Sequence, residues 1–469
     1  MKQKNKDYLF YSTTTSLCPE CLKKVPAKII IKDNSVFMKK RCKEHGVSEV
    51  LIEDDANYYL NKYKYDKPGT ICKTQTMIDR GCPFDCGLCP DHEQHTCIGL
   101  LEVTNNCDLT CPICYANSGE GDFMSLETIH KILDNYQDSE YGNAEILQIS
   151  GGEPTTHPQI LEIIKIAKNK KIKYVMLNTN GIRISKDLEF VKKLSELKGG
   201  FEIYLQFDGF DEKTSIKLRG KNILDIKKKA IENLSKYGIP ITLVSTIKKG
   251  LNDDEMGEII DFGLKTKYIR GINFQPVTYF GRYKKEDKYS KMTNTGIYKK
   301  IEKQTGGMIK FDDFIPLPCT IDNTGVTFLY KNKGEFIPIT RNMDVKKHLK
   351  LIKNTFDFDA KEMLTEAAKG LCGGNSCGCF DFIKDVKTII PLSFIAKPQK
   401  EKTKFIDENT FRISIVSFID AYNFDIKSVK KECVHILTPD LKKMPFSMYN
   451  LLYRDNNNNN NKDGINVLN

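Results

Sequence analysis

The sequence predicts an α/β fold: a partial (βα)6 barrel of TIM type, with an N-terminal metal-binding ribbon before it and a C-terminal region with its own cysteines after it. Three observations carry this expectation. Between residues 99 and 275, apolar runs of strand length alternate with segments of helical periodicity, and repeated βα units imply a parallel sheet with right-handed crossovers. The 16 cysteines fall into spaced groups that divide the chain. Successive strands end in glycine- and amide-rich turns, where parallel folds collect their ligands.

At 469 residues the chain is long enough for an enzyme core with additions at either end. Its 40% hydrophobic and 28% charged residues provide a packed core and argue against global disorder. The start is polar and lysine-rich, with no apolar leader, and no run approaches the roughly 18 apolar residues that span a bilayer. The expected compartment is the cytoplasm, with at most peripheral membrane contact. In that reducing setting the cysteines read as thiolate ligands rather than disulfides.

Residues 1–65 read as the ribbon. Cys18-x2-Cys21 and Cys42-x2-His45 flank β-rich stretches at 28–32 and 35–39, and a Cys3His set suits zinc or a single iron. Residues 66–98 hold Cys82, Cys86 and Cys89, spaced CxxxCxxC, with Cys72 and Cys97 on either side. The barrel follows over 99–285, with strands at 99–104, 145–149, 174–178, 202–207, 241–246 and 271–275. Its helices are expected at 126–136, with Ser125 as N-cap, and at 159–168, 188–197, 223–236 and 255–264. Residues 286–400 hold Cys319, Cys372, Cys377 and Cys379. The extension 401–469 carries little signal; its asparagine run at 456–461 reads as a disordered tail, and Cys433 stands alone as an ordinary thiol.

The chemistry concentrates at the strand ends. Cys107, Cys111 and Cys114 repeat the CxxxCxxC spacing just after the first strand. A cubane held by three thiolates keeps its fourth iron open, although a zinc knuckle could use the same triplet. The second strand ends in Ser150-Gly151-Gly152-Glu153-Pro154, in which the glycines free the backbone for close approach and Glu153 offers an acceptor for an ammonium group. The third ends in Asn178-Thr179-Asn180-Gly181 and the fourth in Gln206-Phe207-Asp208-Gly209.

The CxxxCxxC loop, the Gly-Gly-Glu-Pro turn about forty residues later and the partial barrel together resemble the radical S-adenosylmethionine (SAM) superfamily over residues 99–282. The resemblance implies that Cys107, Cys111 and Cys114 hold a catalytic [4Fe-4S] cluster and that Gly151, Gly152 and Glu153 bind the methionyl amine. It further implies SAM contacts for Asn180, Gln206 and Asp208, and places Arg219, in Leu-Arg-Gly, near the methionyl carboxylate. The implied reaction is reductive cleavage of SAM to a 5′-deoxyadenosyl radical that takes hydrogen from an unactivated carbon.

The run from Gly81 to Cys97, leading directly into the catalytic loop, resembles more narrowly the archaeal tetraether lipid synthase group and the class D radical methylases described as hydroxymethylpterin methyltransferases. That likeness implies a C-terminal auxiliary-cluster domain and two auxiliary [4Fe-4S] clusters. One set is Cys82, Cys86, Cys89 and Cys97, with Cys97 preferred over Cys72; the other is Cys319, Cys372, Cys377 and Cys379. An electron donor such as ferredoxin or flavodoxin is implied as well.

Two C–C bond-forming reactions then compete. Coupling of the isoprenoid chains of diether lipids is the leading expectation; the alternative is methylation of 7,8-dihydro-6-hydroxymethylpterin for a methanopterin-type cofactor. The first calls for a long apolar channel, the second for a compact polar pocket. A net charge of +11 suits anionic lipid head groups, although runs such as Lys227-Lys228-Lys229 fall within helical patterns and read as solvated surface. A zinc-ribbon RNA-binding protein is the remote alternative, because residues 82–114 hold few basic side chains and no nucleic acid is expected.

Overall fold

Four antiparallel strands form the N-terminal sheet in sequence order: β1 (Leu9–Leu17), β2 (Lys24–Lys32), β3 (Ser35–Cys42) and β4 (Gly46–Glu53). Alternation sends Ala27, Ile29, Val36 and Met38 to one face, where Ala56 and Tyr59 of α1 (Ala56–Lys62) cover them. The Asp55 side chain caps α1 by accepting from Tyr58 N at 2.9 Å. Cys18 directly follows β1 and Cys42 ends β3, so both knuckles lie at the same end of the sheet.

This computed structural model describes residues 6–70, 72–197, 199–283, 291–349, 352–356 and 408–454, with 398, 401 and 405. Cys372, Cys377, Cys379 and the asparagine-rich tail lie outside the described residues. Among those described, no helix is long and apolar enough to cross a membrane.

The predicted βα series is present. Its strands are β5 (Ile98–Glu102), β6 (Ile146–Ser150), β7 (Tyr174–Thr179), β8 (Phe201–Gln206), β9 (Ile241–Ile247) and β10 (Ile269–Pro276), each parallel to the next. Between them lie α2 (Leu126–Ser139), α3 (Ile160–Asn169), α4 (Ile182–Lys186), α5 (Leu188–Ser195), α6 (Glu212–Arg219), α7 (Leu224–Lys236) and α8 (Met256–Lys265). Ser125 caps α2 as expected, accepting from Thr128 N at 3.2 Å. Leu147, Ile149, Val175 and Leu177 of the strands pack with Ile129, Leu133, Ile163 and Ile164 of the helices in one continuous core, the pattern of a parallel sheet covered by its crossovers. The short helices α4 and α6 were not legible in the hydrophobic periodicity, because each offers only one or two buried positions.

The C-terminal stretch contributes more than its weak sequence signal suggests. After α9 (Asn294–Gln304) come β11 (Ile315–Pro316), β12 (Thr324–Asn332) and β13 (Glu335–Pro338). Then β14 (Thr410–Val416) adds in parallel to β10, and β15 (Val434–Leu437) adds in parallel to β5, followed by β16 (Lys443–Pro445). Both outer edges of the barrel sheet are therefore paired by residues beyond 400. An unpaired edge exposes backbone donors and acceptors, and strands brought from a distant part of the chain satisfy them.

Candidate functional site

The cysteine loop leaves β5 at Val103 and is fastened from three directions. Gly152 N donates to Thr104 O and Glu153 N to Asn106 O, both at 2.8 Å. A Cβ on Gly151 would stand 2.2 Å from Thr104 O, and one on Gly152 2.4 Å from Asn106 O. These glycines thus let the end of β6 lie against the cysteine loop. From beyond β10, Arg282 donates through N to Cys114 O at 3.0 Å and through Nη1 to Cys111 O at 3.2 Å. From β7, Asn180 Nδ2 donates to Asp108 Oδ1 at 2.5 Å. Sequence spacing gave no sign of Arg282.

Cys107, Cys111 and Cys114 border one cavity of 250 Å³ at the carboxyl ends of the strands, together with Gly151, Gly152, Asn180, Gln206 and Arg219. Burial pushes the Cys107 thiol up to about 12 and raises that of Cys111 even with Arg219 beside it. Such thiols ionise when a metal takes the place of the proton. Three of them on one braced loop, open to a cavity, fit a thiolate-bound cluster.

Several of the side chains expected at the SAM site already hold one another within the barrel. Glu153 is buried, and Oε1 accepts from Thr155 N (3.1 Å), Thr155 Oγ1 (2.6 Å) and Thr179 Oγ1 (2.7 Å), while Oε2 accepts from Asn180 N (2.7 Å). Its carboxylate ties β6 to β7 and is largely occupied before any ammonium arrives; burial raises its pKa. Arg219, at the end of α6, makes a bidentate pair with Asp208, both bonds 2.7 Å, and donates to Thr246 Oγ1 at 3.0 Å. Its guanidinium is committed to the barrel rather than free for a carboxylate. Gln206 Nε2 donates to Asp208.

Lys227 corrects the solvated-surface reading of its basic run. It is 3% exposed, with Nζ donating to Asn180 O and, at 2.7 Å, to Gln206 Oε1. The signal was present: in α7 it falls with Ala230, Ile231 and Leu234 on the buried stripe. Burial, with Arg219 adding to it against Asp208, Glu153 and Cys111, lowers the Lys227 pKa to about 7 from an ordinary 10.5. The unfolded chain then binds more protons between these values, so this group makes stability rise as pH climbs from about 7 toward 10.5. Thermal melts of Lys227→Met are expected to show a shallower rise over that window than the wild type.

The cavity has two kinds of wall. Gln148, Asn178, Tyr204, Gln206 and Gln275 give it an amide-rich floor, and buried Asn178 Oδ1 has no partner there. Leu100, Phe280, Phe418, Val434 and Phe446 make an apolar flank. Arg454 secures that flank, pairing with Glu102 at 2.7 and 2.9 Å and lying over the Tyr115 ring. A larger cavity of 1030 Å³ lies beside the ribbon; the loop cysteines do not border it, but Tyr279 and Ile419 on its wall adjoin Phe280 and Phe418 of the first cavity. Its buried lysines are already engaged, Lys62 by Asp322 at 2.7 Å and Lys40 by Ala421 O at 2.6 Å.

The other cysteines sort partly as spaced. In the ribbon, His45 Nδ1 stands 3.6 Å from both Cys18 Sγ and Cys42 Sγ, and Cys21 Sγ stands 3.9 Å from Cys42 Sγ. With metal–sulfur bonds of about 2.3 Å, tetrahedral edges come to about 3.8 Å, so the set fits zinc. Cys82, Cys86 and Cys89 border a small cavity with His92. Cys97 does not border it and lies instead with Cys319 and Cys433, because Cys97 N donates to Cys433 O where β5 meets β15. Cys72 is buried near Lys443 and Glu140.

Comparisons with known proteins agree with this geometry. Residues 101–263 match the model of the Radical SAM superfamily, and residues 10–54 match the HMPTM N-terminal zinc ribbon domain. The chain is 36% identical over 476 residues to a 7,8-dihydro-6-hydroxymethylpterin dimethyltransferase of Methanocaldococcus jannaschii, covering 94% of each. The chain belongs to the radical SAM superfamily. Within it, the chain matches the hydroxymethylpterin methyltransferase-like group. An Fe-coproporphyrin III synthase of Methanosarcina barkeri is 33% identical over 187 residues, which cover 39% of this chain and 44% of that one. Among solved structures, Streptococcus suis SuiB bound to its precursor peptide SuiA aligns with a TM-score of 0.39 at 18% identity, over 46% of each chain. This radical SAM protein is an enzyme that uses a [4Fe-4S] cluster, SAM and ribbon zinc.

Proposed function

We propose that this radical SAM enzyme is a methyltransferase acting on 7,8-dihydro-6-hydroxymethylpterin, as a step toward a methanopterin-type cofactor. The observation that carries this reading is the cavity at the cysteine loop: compact, with an amide floor against an apolar and aromatic flank. A pterin is a flat heterocycle with donors and acceptors along its edge. Aromatic walls and a few convergent amides are what such a ring requires. The name of the M. jannaschii relative supports the same substrate. The lipid-coupling expectation has less support, since the described residues bordering the cysteine loop include an amide floor as well as the apolar flank.

When bound, the cluster and SAM supply one-electron cleavage of the sulfonium and a carbon-centred radical that takes hydrogen from substrate. In this reading Cys107, Cys111 and Cys114 hold the cluster, and the Gly151–Gly152 backbone, fixed by the cysteine loop, lies along the methionyl group. Glu153, Asn180 and Lys227 hold the ends of β6, β7 and β8 in register beneath it. Asp208 keeps the Arg219 guanidinium beside Cys111, where its charge favours the thiolate. Phe280, Phe418 and Phe446 keep water from the reacting carbon. A ferredoxin or flavodoxin would supply the electron.

The test incubates reconstituted enzyme, reductant and SAM with dihydropterin or with diether phospholipid. Pterin-stimulated release of 5′-deoxyadenosine is expected, with methyl mass gained by the pterin once a separate one-carbon donor, a second SAM or a methylene-carrying reduced pterin, is supplied. Stimulation and coupling with the phospholipid alone would overturn the proposal.

A further inference from the structure

We propose that the zinc ribbon braces the reaction site: Lys40 on the ribbon and Asp420 beyond β14 are positioning residues that hold Phe418 and Phe280 on the flank of the cavity at the cysteine loop. The consequence for substrate binding rests on the pterin reading. The bracing itself does not.

Phe280 and Phe418 come from separate segments, one after β10 and one after β14, and the fully buried Asp420 carboxylate joins them. Its Oδ2 accepts from Lys291 Nζ at 2.9 Å and from Tyr279 N at 3.3 Å. Its Oδ1 accepts from Tyr422 N at 2.9 Å and from Asn423 N at 3.3 Å. Lys291 Nζ also donates to Phe418 O at 3.1 Å. One ion pair thus fixes both the backbone beside Phe280 and the carbonyl of Phe418. The Phe446 ring completes this wall, its centroid 4.4 Å from that of Phe418 and 6.3 Å from that of Phe280.

The ribbon grips the same segment from outside. Lys40 Nζ donates to Leu17 O at 3.1 Å and to Ala421 O at 2.6 Å. Ser16 Oγ donates to Phe424 O at 2.5 Å, and Thr14 Oγ1 to Asp425 Oδ1 at 2.7 Å. Leu17 packs with Ile419 and Phe424 in one buried cluster. A lysine is costly to bury, and the two acceptors of this one lie on opposite sides of the junction between ribbon and barrel. Leu17 directly precedes Cys18, and Lys40 stands two residues before Cys42. Zinc that holds Cys18 and Cys42 together therefore also fixes the bridge from Leu17 through Lys40 to Ala421. Close-packed interiors transmit such constraints, and a displacement of about 1 Å far from the chemistry can cost on the order of 100-fold in rate.

The experiment follows amide hydrogen exchange in the reconstituted full-length enzyme. In Lys40→Met, with zinc at the wild-type level, peptides over 277–281 and 417–425 should exchange about tenfold faster, the loss expected of a hydrogen bond from a charged group. Peptides over 107–114 and 150–153 should keep their protection. Lys40→Arg, whose guanidinium can donate to both carbonyls, should restore the wild-type pattern. Unchanged exchange over 417–425, or an equal rise throughout the chain, overturns the proposal. Should Lys40→Met not fold, Ser16→Ala and Thr14→Val test the same junction. In steady-state assays of Lys40→Met, KM for the dihydropterin should rise about tenfold while the affinity for SAM stays at the wild-type value. An unchanged KM despite faster exchange also sinks the proposal. If the wild-type enzyme does not turn over the pterin, the pterin reading falls, and hydrogen exchange alone decides the bracing.

Discussion

Cys111→Ala is expected to reduce SAM cleavage to background while leaving ribbon zinc unchanged. Cys111 sits between Arg219, which touches its thiol, and Cys114, and its carbonyl is held by Arg282. Removing the thiol leaves the loop anchored through Cys107 N to Gly119 O at 2.7 Å and through Asn180 to Asp108. The loop should therefore keep its path and lose one of three ligands. A radical enzyme has no second route to the electron transfer, so the whole acceleration is at stake rather than a fraction of it. The check is 5′-deoxyadenosine release under strong reductant, with iron and zinc counted on the same sample. Wild-type cleavage in Cys111→Ala would show that this triplet is not the one that binds SAM.

Asp208→Ala should destabilise the fold by about 3–5 kcal/mol, because it leaves a buried guanidinium without its partner. Asp208 accepts from Arg219 Nε and Nη2, from Thr246 N at 3.1 Å and from Gln206. Arg219 is almost fully enclosed, with 11% of its side chain exposed, and remains charged at any accessible pH. Replacing both residues together, as Asp208→Leu with Arg219→Met, should recover most of the loss, since no uncompensated charge remains. Urea unfolding midpoints of the single and double variants decide this. Equal destabilisation in both would mean that the other bonds to Asp208, not the ion pair, carry the energy. Activity should stay low in the double variant, because the charge beside Cys111 is gone.

Much of the fold was legible because its signals are local. The βα series follows from apolar runs that must be buried on both faces, and the ribbon follows from two knuckles whose spacing fits a single ion. The CxxxCxxC loop and the Gly-Gly-Glu-Pro turn marked the site for the same reason. What escaped notice depends on partners far away in sequence. The four residues of β15 are too few to show a period, and its partner β5 lies far earlier in the chain. Lys227 looked like part of a solvated run because composition cannot tell which lysine of three faces inward, although its place on the apolar stripe could.

The sequence by itself pointed to a radical SAM barrel with an N-terminal metal-binding ribbon, since those features rest on residues within a few positions of one another or on strictly alternating elements. Only the tertiary structure decided how the side chains are spent. Glu153 and Arg219, read as ligands for SAM, are held by Thr155, Thr179 and Asp208. Cys433, read as an ordinary thiol, stands beside Cys97 and Cys319. The physical reason is the same in each case. A buried carboxylate, guanidinium or thiol takes whatever partner the packing supplies, and strand register across hundreds of residues sets which partner that is.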